Sequence, residues 1–164
     1  STPNGWVKPT RAVVSWEPAL SADGPLSYEV ILDGRVLHSA AGAHSLRIGS
    51  HGLGDGAHRV QLLAIDIDGQ ATLSAPDGLR VDGRPPTLTS TLAQGGRGVR
   101  LRVRDGASGV NAGATRISFG DGHSTSGRKR VTHLYAHAGV YRIVAHVRDR
   151  VGNSAVVRRL VSVR

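Results

Sequence analysis

Apolar and polar residues alternate with a period of two through much of the chain. In 98–105, Val99, Leu101 and Val103 fall on one side and Arg100, Arg102 and Arg104 on the other. In 141–148, Tyr141, Ile143, Ala145 and Val147 oppose Arg142, His146 and Arg148. The first half shows the same period where Val14 joins Trp16, and where Val60, Leu62 and Ala64 line up. Successive side chains of an extended strand point to opposite faces, so this pattern predicts sheets with one buried and one wet face. No segment repeats apolar residues at helical spacing for long enough to predict a surface helix. Turn signals separate the runs: Ala22-Asp23-Gly24-Pro25, Asp33-Gly34, Gly54-Asp55-Gly56, Asp68-Gly69, Gly120-Asp121-Gly122 and Val151-Gly152-Asn153. Short strands between such turns predict an all-β protein built as antiparallel sandwiches.

A weak internal repeat sets the number of sandwiches. Residues 56–69 align with residues 139–152 at an offset of 83, pairing Gly56 with Gly139, Arg59 with Arg142, Asp66 with Asp149 and Gly69 with Gly152. Each copy is a turn glycine, an alternating strand, an aspartate and a tight turn. A period of 83 is close to the size of one seven-stranded sandwich. Two units are therefore expected, 1–83 and 84–164. The seam is Asp82-Gly83-Arg84-Pro85-Pro86, where two prolines withdraw backbone donors and predict a stiff, extended connection.

Charge divides at the same seam. Residues 1–83 carry six bases and nine acids, net −3, whereas residues 84–164 carry fourteen Arg and Lys129 against Asp105, Asp121 and Asp149, net +12. Of the 21 bases only Lys8 and Lys129 are lysine. Two causes fit: codon bias in a GC-rich genome, which also accounts for the wealth of Ala, Gly and Val, or selection for planar, bidentate anion recognition. Cysteine is absent, which excludes a disulfide framework, a thiolate metal site and a cysteine nucleophile; export remains open. No apolar run approaches the length of a membrane span. The chain opens Ser-Thr-Pro and holds no methionine, so we expect a processed or excised piece, which leaves room for a secretion signal upstream.

A family comes into view in the second half. Ile117-Ser-Phe119-Gly-Asp121-Gly122 is followed by His133-Leu-Tyr135, Ala138-Gly139-Val-Tyr141 and Val147-Arg-Asp149-Arg-Val-Gly152-Asn153. The order resembles the PKD (polycystic kidney disease)-type domain, an Ig-like β-sandwich, over about 85–164. Ile117 stands where that family places an aromatic. Residues 1–83 resemble a fibronectin type III or related Ig-like module through Val14-Ser-Trp16-Glu-Pro18, Tyr28-Glu-Val30, Leu32-Asp-Gly34, Leu53-Gly-Asp-Gly56 and Ala64-Ile-Asp66. His58 occupies the place of a strand aromatic, so the tyrosine-corner hydrogen bond of the family is expected to be missing. The resemblances imply extracellular, cell-surface or periplasmic modules without enzymatic activity, commonly strung beside adhesins, surface-layer proteins or secreted hydrolases.

The residues point the same way on chemistry. There is no Gly-x-Ser-x-Gly elbow and no His-Glu-x-x-His. His44, His51 and His58 lack ligand spacing, and His133 and His137 lie on strand and turn, not one helix face. No catalytic residue is assigned and no cofactor is expected. Calcium has one weak candidate set, Asp105, Asp149 and Asn153, on turns that converge at one end of the second sandwich; two carboxylates are few for a cation that takes six to eight oxygens. Asp121 between glycines reads as a turn residue. The basic positions carry the functional expectation: Arg100, Arg102 and Arg104 on one strand, Arg142 and Arg148 on another, and the loop Arg128-Lys129-Arg130. They form either a solvated face or a polyanion-binding surface. Expected partners are neighbouring domains of the parent protein or a surface polymer, including anionic glycan. Nucleic acid fits poorly, because the few aromatics are claimed by the cores and cannot stack bases. Three roles remain: a spacer and interaction unit, an accessory binding domain of an exported hydrolase engaging anionic glycan, and a self-assembling subunit of a surface filament or layer.

Overall fold

The computed structural model describes residues 1–19, 24–39, 42–93 and 95–164, with the backbone alone at residues 50 and 51. The turn expected at Ala22-Asp23-Gly24-Pro25 starts outside the described residues, as does the His51 side chain. The chain divides into two compact units, Ser1–Gly83 and Arg84–Arg164. Both are all-β, and among the described residues helical turns are limited to three short 3-10 segments.

The first unit contains β1 (Trp6–Val7), β2 (Val13–Ser15), β3 (Ser27–Leu32), β4 (Arg35–His38), β5 (Ser45–Arg47), β6 (Gly56–Ile65), β7 (Ala71–Leu73) and β8 (Asp77–Val81). One sheet runs β1-β8-β6-β3-β4, with β7 also on β6, and β2 pairs β5 in a second. The hairpin β3–β4 closes on Asp33 and Gly34 alone, both at positive φ (50° and 82°), the two-residue turn whose twist suits antiparallel strands. Val14, Trp16, Val30, Ile48, Val60, Leu79 and Val81 are buried between the sheets, and the Trp16 and Tyr28 rings meet with centroids 5.7 Å apart. Trp6 is half-buried on β1, which joins the sheet in parallel with β8.

The second unit contains β9 (Thr87–Leu92), β10 (Gly98–Arg104), β11 (Arg116–Ser118), β12 (Ser124–Ser126), β13 (Arg130–Leu134), β14 (Gly139–Arg148) and β15 (Ser154–Val163). They form a three-stranded sheet, β13-β10-β9, and a four-stranded sheet, β12-β11-β14-β15. The alternation decides which side chains enter. Val99, Leu101 and Val103 of β10 and Ile143, Ala145 and Val147 of β14 are buried together with Ile117, Phe119 and Tyr135. The repeat maps strand onto strand: β6 and β14 are both ten residues long and begin at the paired glycines.

Gly120 shows how tightly the corner after β11 sits on its neighbour. Its φ is 90°, and a Cβ there would lie 2.6 Å from the carbonyl oxygen of Arg142 on β14. Gly120→Ala combines left-handed strain with a backbone clash that no flexible side chain can relieve. We expect it to cost about 2–3 kcal/mol, read as a lowered urea midpoint in far-ultraviolet circular dichroism, whereas Gly122→Ala, with open space around its Cβ, should cost less.

Candidate functional site

The arginines of β10 sit on the outer face of the three-stranded sheet. Register places Arg100 between Thr91 of β9 and Thr132 of β13, Arg102 between Thr89 and Arg130, and Arg104 beside Thr87. Thr89 Oγ1 donates to the Arg102 carbonyl (3.2 Å) and Thr87 Oγ1 to that of Arg104 (3.4 Å), leaving hydroxyl lone pairs toward solvent. A shallow depression of about 460 Å³ runs along this face, with Arg100, Arg102, Arg104 and Arg130 around it. Desolvation, and then the charges of Arg104 and Arg130, hold Arg102 below the ordinary guanidinium range. Like charges directly across a ladder oppose folding, so the strand carries this cluster at some cost to its own stability.

The other bases do not join it. Arg142 and Arg148 project from β14 in the opposite sheet, as does His146. A second depression, about 530 Å³, is lined by Arg116, Arg128 and His146 together with Ser118, Ser124 and Ser126. Arg128 therefore belongs with β11 and β14, while Arg130, two residues on, belongs with β10. Lys129 lies in the segment that crosses between the sheets, exposed, its carbonyl accepting from Val103 N (2.8 Å).

The turn carboxylates serve the backbone. Asp105 Oδ1 accepts from the N–H groups of Ala107 (3.1 Å) and Gly109 (2.7 Å). Buried Asp149 accepts from Gly152 N and Asn153 N through Oδ1, and from Asn153 Nδ2 through Oδ2 (2.7 Å). Carboxylate oxygens of Asp105 and Asp149 do converge within 4.8 Å, but Asn153 presents its amide hydrogens, not its oxygen, to Asp149. Asp66, the repeat counterpart of Asp149, holds the equivalent turn by accepting from Gln70 N (2.7 Å).

Asp121 does more than shape its turn. Oδ1 accepts from His123 N (3.1 Å), whereas Oδ2 lies 2.6 Å from His133 Nε2 and 3.3 Å from His123 Nδ1. The His133 ring stacks on Phe119 at 4.0 Å and meets the edge of Tyr135 at 4.7 Å; Tyr135 in turn stacks on Tyr141 at 4.0 Å. Tyr135 donates its hydroxyl hydrogen to the Phe119 carbonyl (3.0 Å). This column joins β13 of one sheet to the corner after β11 and to β14 of the other.

Residues 85–163 match the family model of the PKD domain. The second unit is a PKD domain. It is similar to the PKD1 domain of Vibrio anguillarum Epp (22% identity, 49% of this chain and 95% of that chain, TM-score 0.42) and to the PKD1 domain of the Vibrio cholerae metalloprotease PrtV (24%, 49% and 98%, TM-score 0.40). The chain is also similar to fibronectin(III)-like modules of Clostridium thermocellum CbhA (14%, 100% and 93%, TM-score 0.41). No curated protein matches it. No helix among the described residues is long and apolar enough to cross a membrane.

Two features of the sites escaped the sequence reading. In the PKD domain, Tyr141 Oη donates to the carbonyl of His137, four residues upstream (2.9 Å). In the first unit, the expected loss of such a corner bond does not occur. His58, the repeat counterpart of Tyr141, places Nε2 3.0 Å from the carbonyl of Gly54, also four residues upstream, and Nδ1 2.7 Å from Asp33 Oδ2. An imidazole reaches where a phenol would, and the offset of 83 was the signal that could have found it. The second feature is His123, which no spacing motif connects to His133.

The Asp121 corner makes a pH prediction. Burial alone would raise its carboxyl, but the hydrogen bonds from His133 and the His123 backbone, with the His133 charge, hold it below the usual range. Burial pushes the Tyr135 hydroxyl up to about 12, and the charges on Asp121 and Tyr141 add to this. A raised phenol favours the folded state fully below about pH 10 and loses that contribution as pH rises toward 12. We expect ultraviolet difference spectra to show one tyrosine ionising only with alkaline unfolding. Tyr135→Phe should abolish that step and cost about 1 kcal/mol at neutral pH through the lost bond to Phe119.

Proposed function

We propose that this chain is a non-catalytic module of an extracellular protein, acting as a spacer and interaction unit, and that the outer face of β13-β10-β9 docks an anionic surface polymer. PKD and fibronectin(III)-like domains are typical of extracellular modules in binding or spacer roles, which supports the spacer and interaction role. One observation carries the docking of a polymer: Arg100, Arg102, Arg104 and Arg130 share a face on which the described residues place no carboxylate, since the three aspartates of this unit are engaged in turns.

The chemistry suits sulfate, phosphate or uronate groups along a flexible chain. Guanidinium forks make paired hydrogen bonds to such oxyanions. The solvent-facing lone pairs of Thr87 and Thr89 can accept from sugar hydroxyls of the polymer. Arginines two residues apart on a strand stand roughly 6.8 Å apart, a spacing that a polymer with regularly placed charges can follow. The attraction is electrostatic and sequence-independent, so it weakens steeply with salt.

Retention on immobilised heparin and on polyphosphate tests this. Arg100→Ser, Arg102→Ser and Arg104→Ser together should weaken binding about tenfold or more at low salt and flatten its salt dependence. Arg142→Ser with Arg148→Ser, on the opposite sheet, should change it by about twofold at most. Equal losses from the two variants would mean that net charge, not this face, holds the polymer. A self-association that dissolves in salt, with no polymer bound, would instead favour assembly of the acidic first unit on the basic second unit of a neighbour.

A further inference from the structure

We propose that Asp121, His123 and His133 form a binding site for one divalent transition cation of the zinc type. The ligand atoms are in place: a carboxylate oxygen and two imidazole nitrogens lie within 4.8 Å of one another. Asp121 Oδ2 is the shared vertex, 2.6 Å from His133 Nε2 and 3.3 Å from His123 Nδ1. Around zinc, with bonds of about 2.0–2.2 Å, tetrahedral ligand atoms sit roughly 3.3 Å apart. The Asp121–His123 pair already has that separation. The Asp121–His133 pair must open by about 0.7 Å, as the cation takes the place of the hydrogen now bridging it.

The surroundings divide the site into a fixed half and a movable half. The His133 and Asp121 side chains are only 15% and 14% exposed, whereas that of His123 is 75% exposed. His133 is clamped by its stack on Phe119 and its edge contact with Tyr135. The second oxygen of Asp121 is anchored by the His123 backbone N–H, the kind of outer-shell bond that aims a ligand. His123 is free to swing onto a cation held by the other two, and its open side leaves the fourth position to water or to a donor from a partner. Two imidazoles and one carboxylate select zinc, nickel, cobalt or copper over calcium and magnesium, which take oxygen ligands. The site uses none of the β10 arginines and neither the Asp105 nor the Asp149 carboxylate, so it neither depends on the polymer-docking reading nor falls with it.

The experiment uses the full chain without an affinity tag, titrated with ZnCl₂ by calorimetry and with CoCl₂ by visible absorption. We expect one equivalent of Zn²⁺ to bind, Co²⁺ to show the strong visible bands of a four-coordinate site, and Ca²⁺ or Mg²⁺ to compete weakly. His123→Ala removes an exposed ligand without disturbing the core. It should lower Zn²⁺ affinity about tenfold or more and bleach the Co²⁺ bands, while the thermal midpoint without metal stays unchanged. His38→Ala, which removes the exposed histidine beside Glu29, serves as the control and should bind as the wild type does. An unchanged Zn²⁺ affinity in His123→Ala would overturn the proposal. So would a wild-type chain that takes up no Zn²⁺, and the trio would then be a hydrogen-bonded clamp alone.

Discussion

The PKD domain depends on the approach of one glycine corner to one strand. Gly120 rests its backbone against that of Arg142 with no room for a side chain between them. That closeness places Asp121 where its carboxylate reaches His133 and places the Phe119 carbonyl where it accepts from Tyr135. Two sheets that share no strand are thus fastened by a polar clamp beside the apolar core. A buried polar group costs free energy unless it is satisfied, and here each member satisfies the next. The clamp therefore specifies how the sheets meet as well as holding them.

The two units solve one problem with different side chains. Both ten-residue strands start at a glycine in an unusual conformation and end at an aspartate that caps a tight turn. Both carry, two residues after the glycine, a ring whose polar tip reaches a carbonyl four residues upstream. In one unit the ring is a phenol, in the other an imidazole that also engages the Asp33 carboxylate. That carboxylate is held below its usual range, chiefly by its hydrogen bond to His58. Geometry, not residue type, is what the repeat preserves.

Strand positions were legible because burial follows a period of two: Val99, Leu101 and Val103 enter the core as their alternation requires. The turns were legible because glycine and aspartate have few other uses at such spacing. The sites were less so. Arg128-Lys129-Arg130 reads as one basic loop, yet the chain crosses from one sheet to the other within those three residues and hands its two arginines to different faces. Partners on separate strands cannot be paired from spacing alone, which is why His123 stood unconnected to His133. His123 meets Asp121 across a corner of two left-handed glycines, and nothing in the period of the flanking strands records it.

The absence of free carboxylates around the β10 arginines has a further consequence. A guanidinium keeps its proton at any pH a cell or its surroundings reach, and the acids that could offset it are tied into turns. The guanidinium charge on this face is therefore the same across that range, and its reach is set by the counterions around it. Such a surface responds to brine and fresh water far more than to acidity.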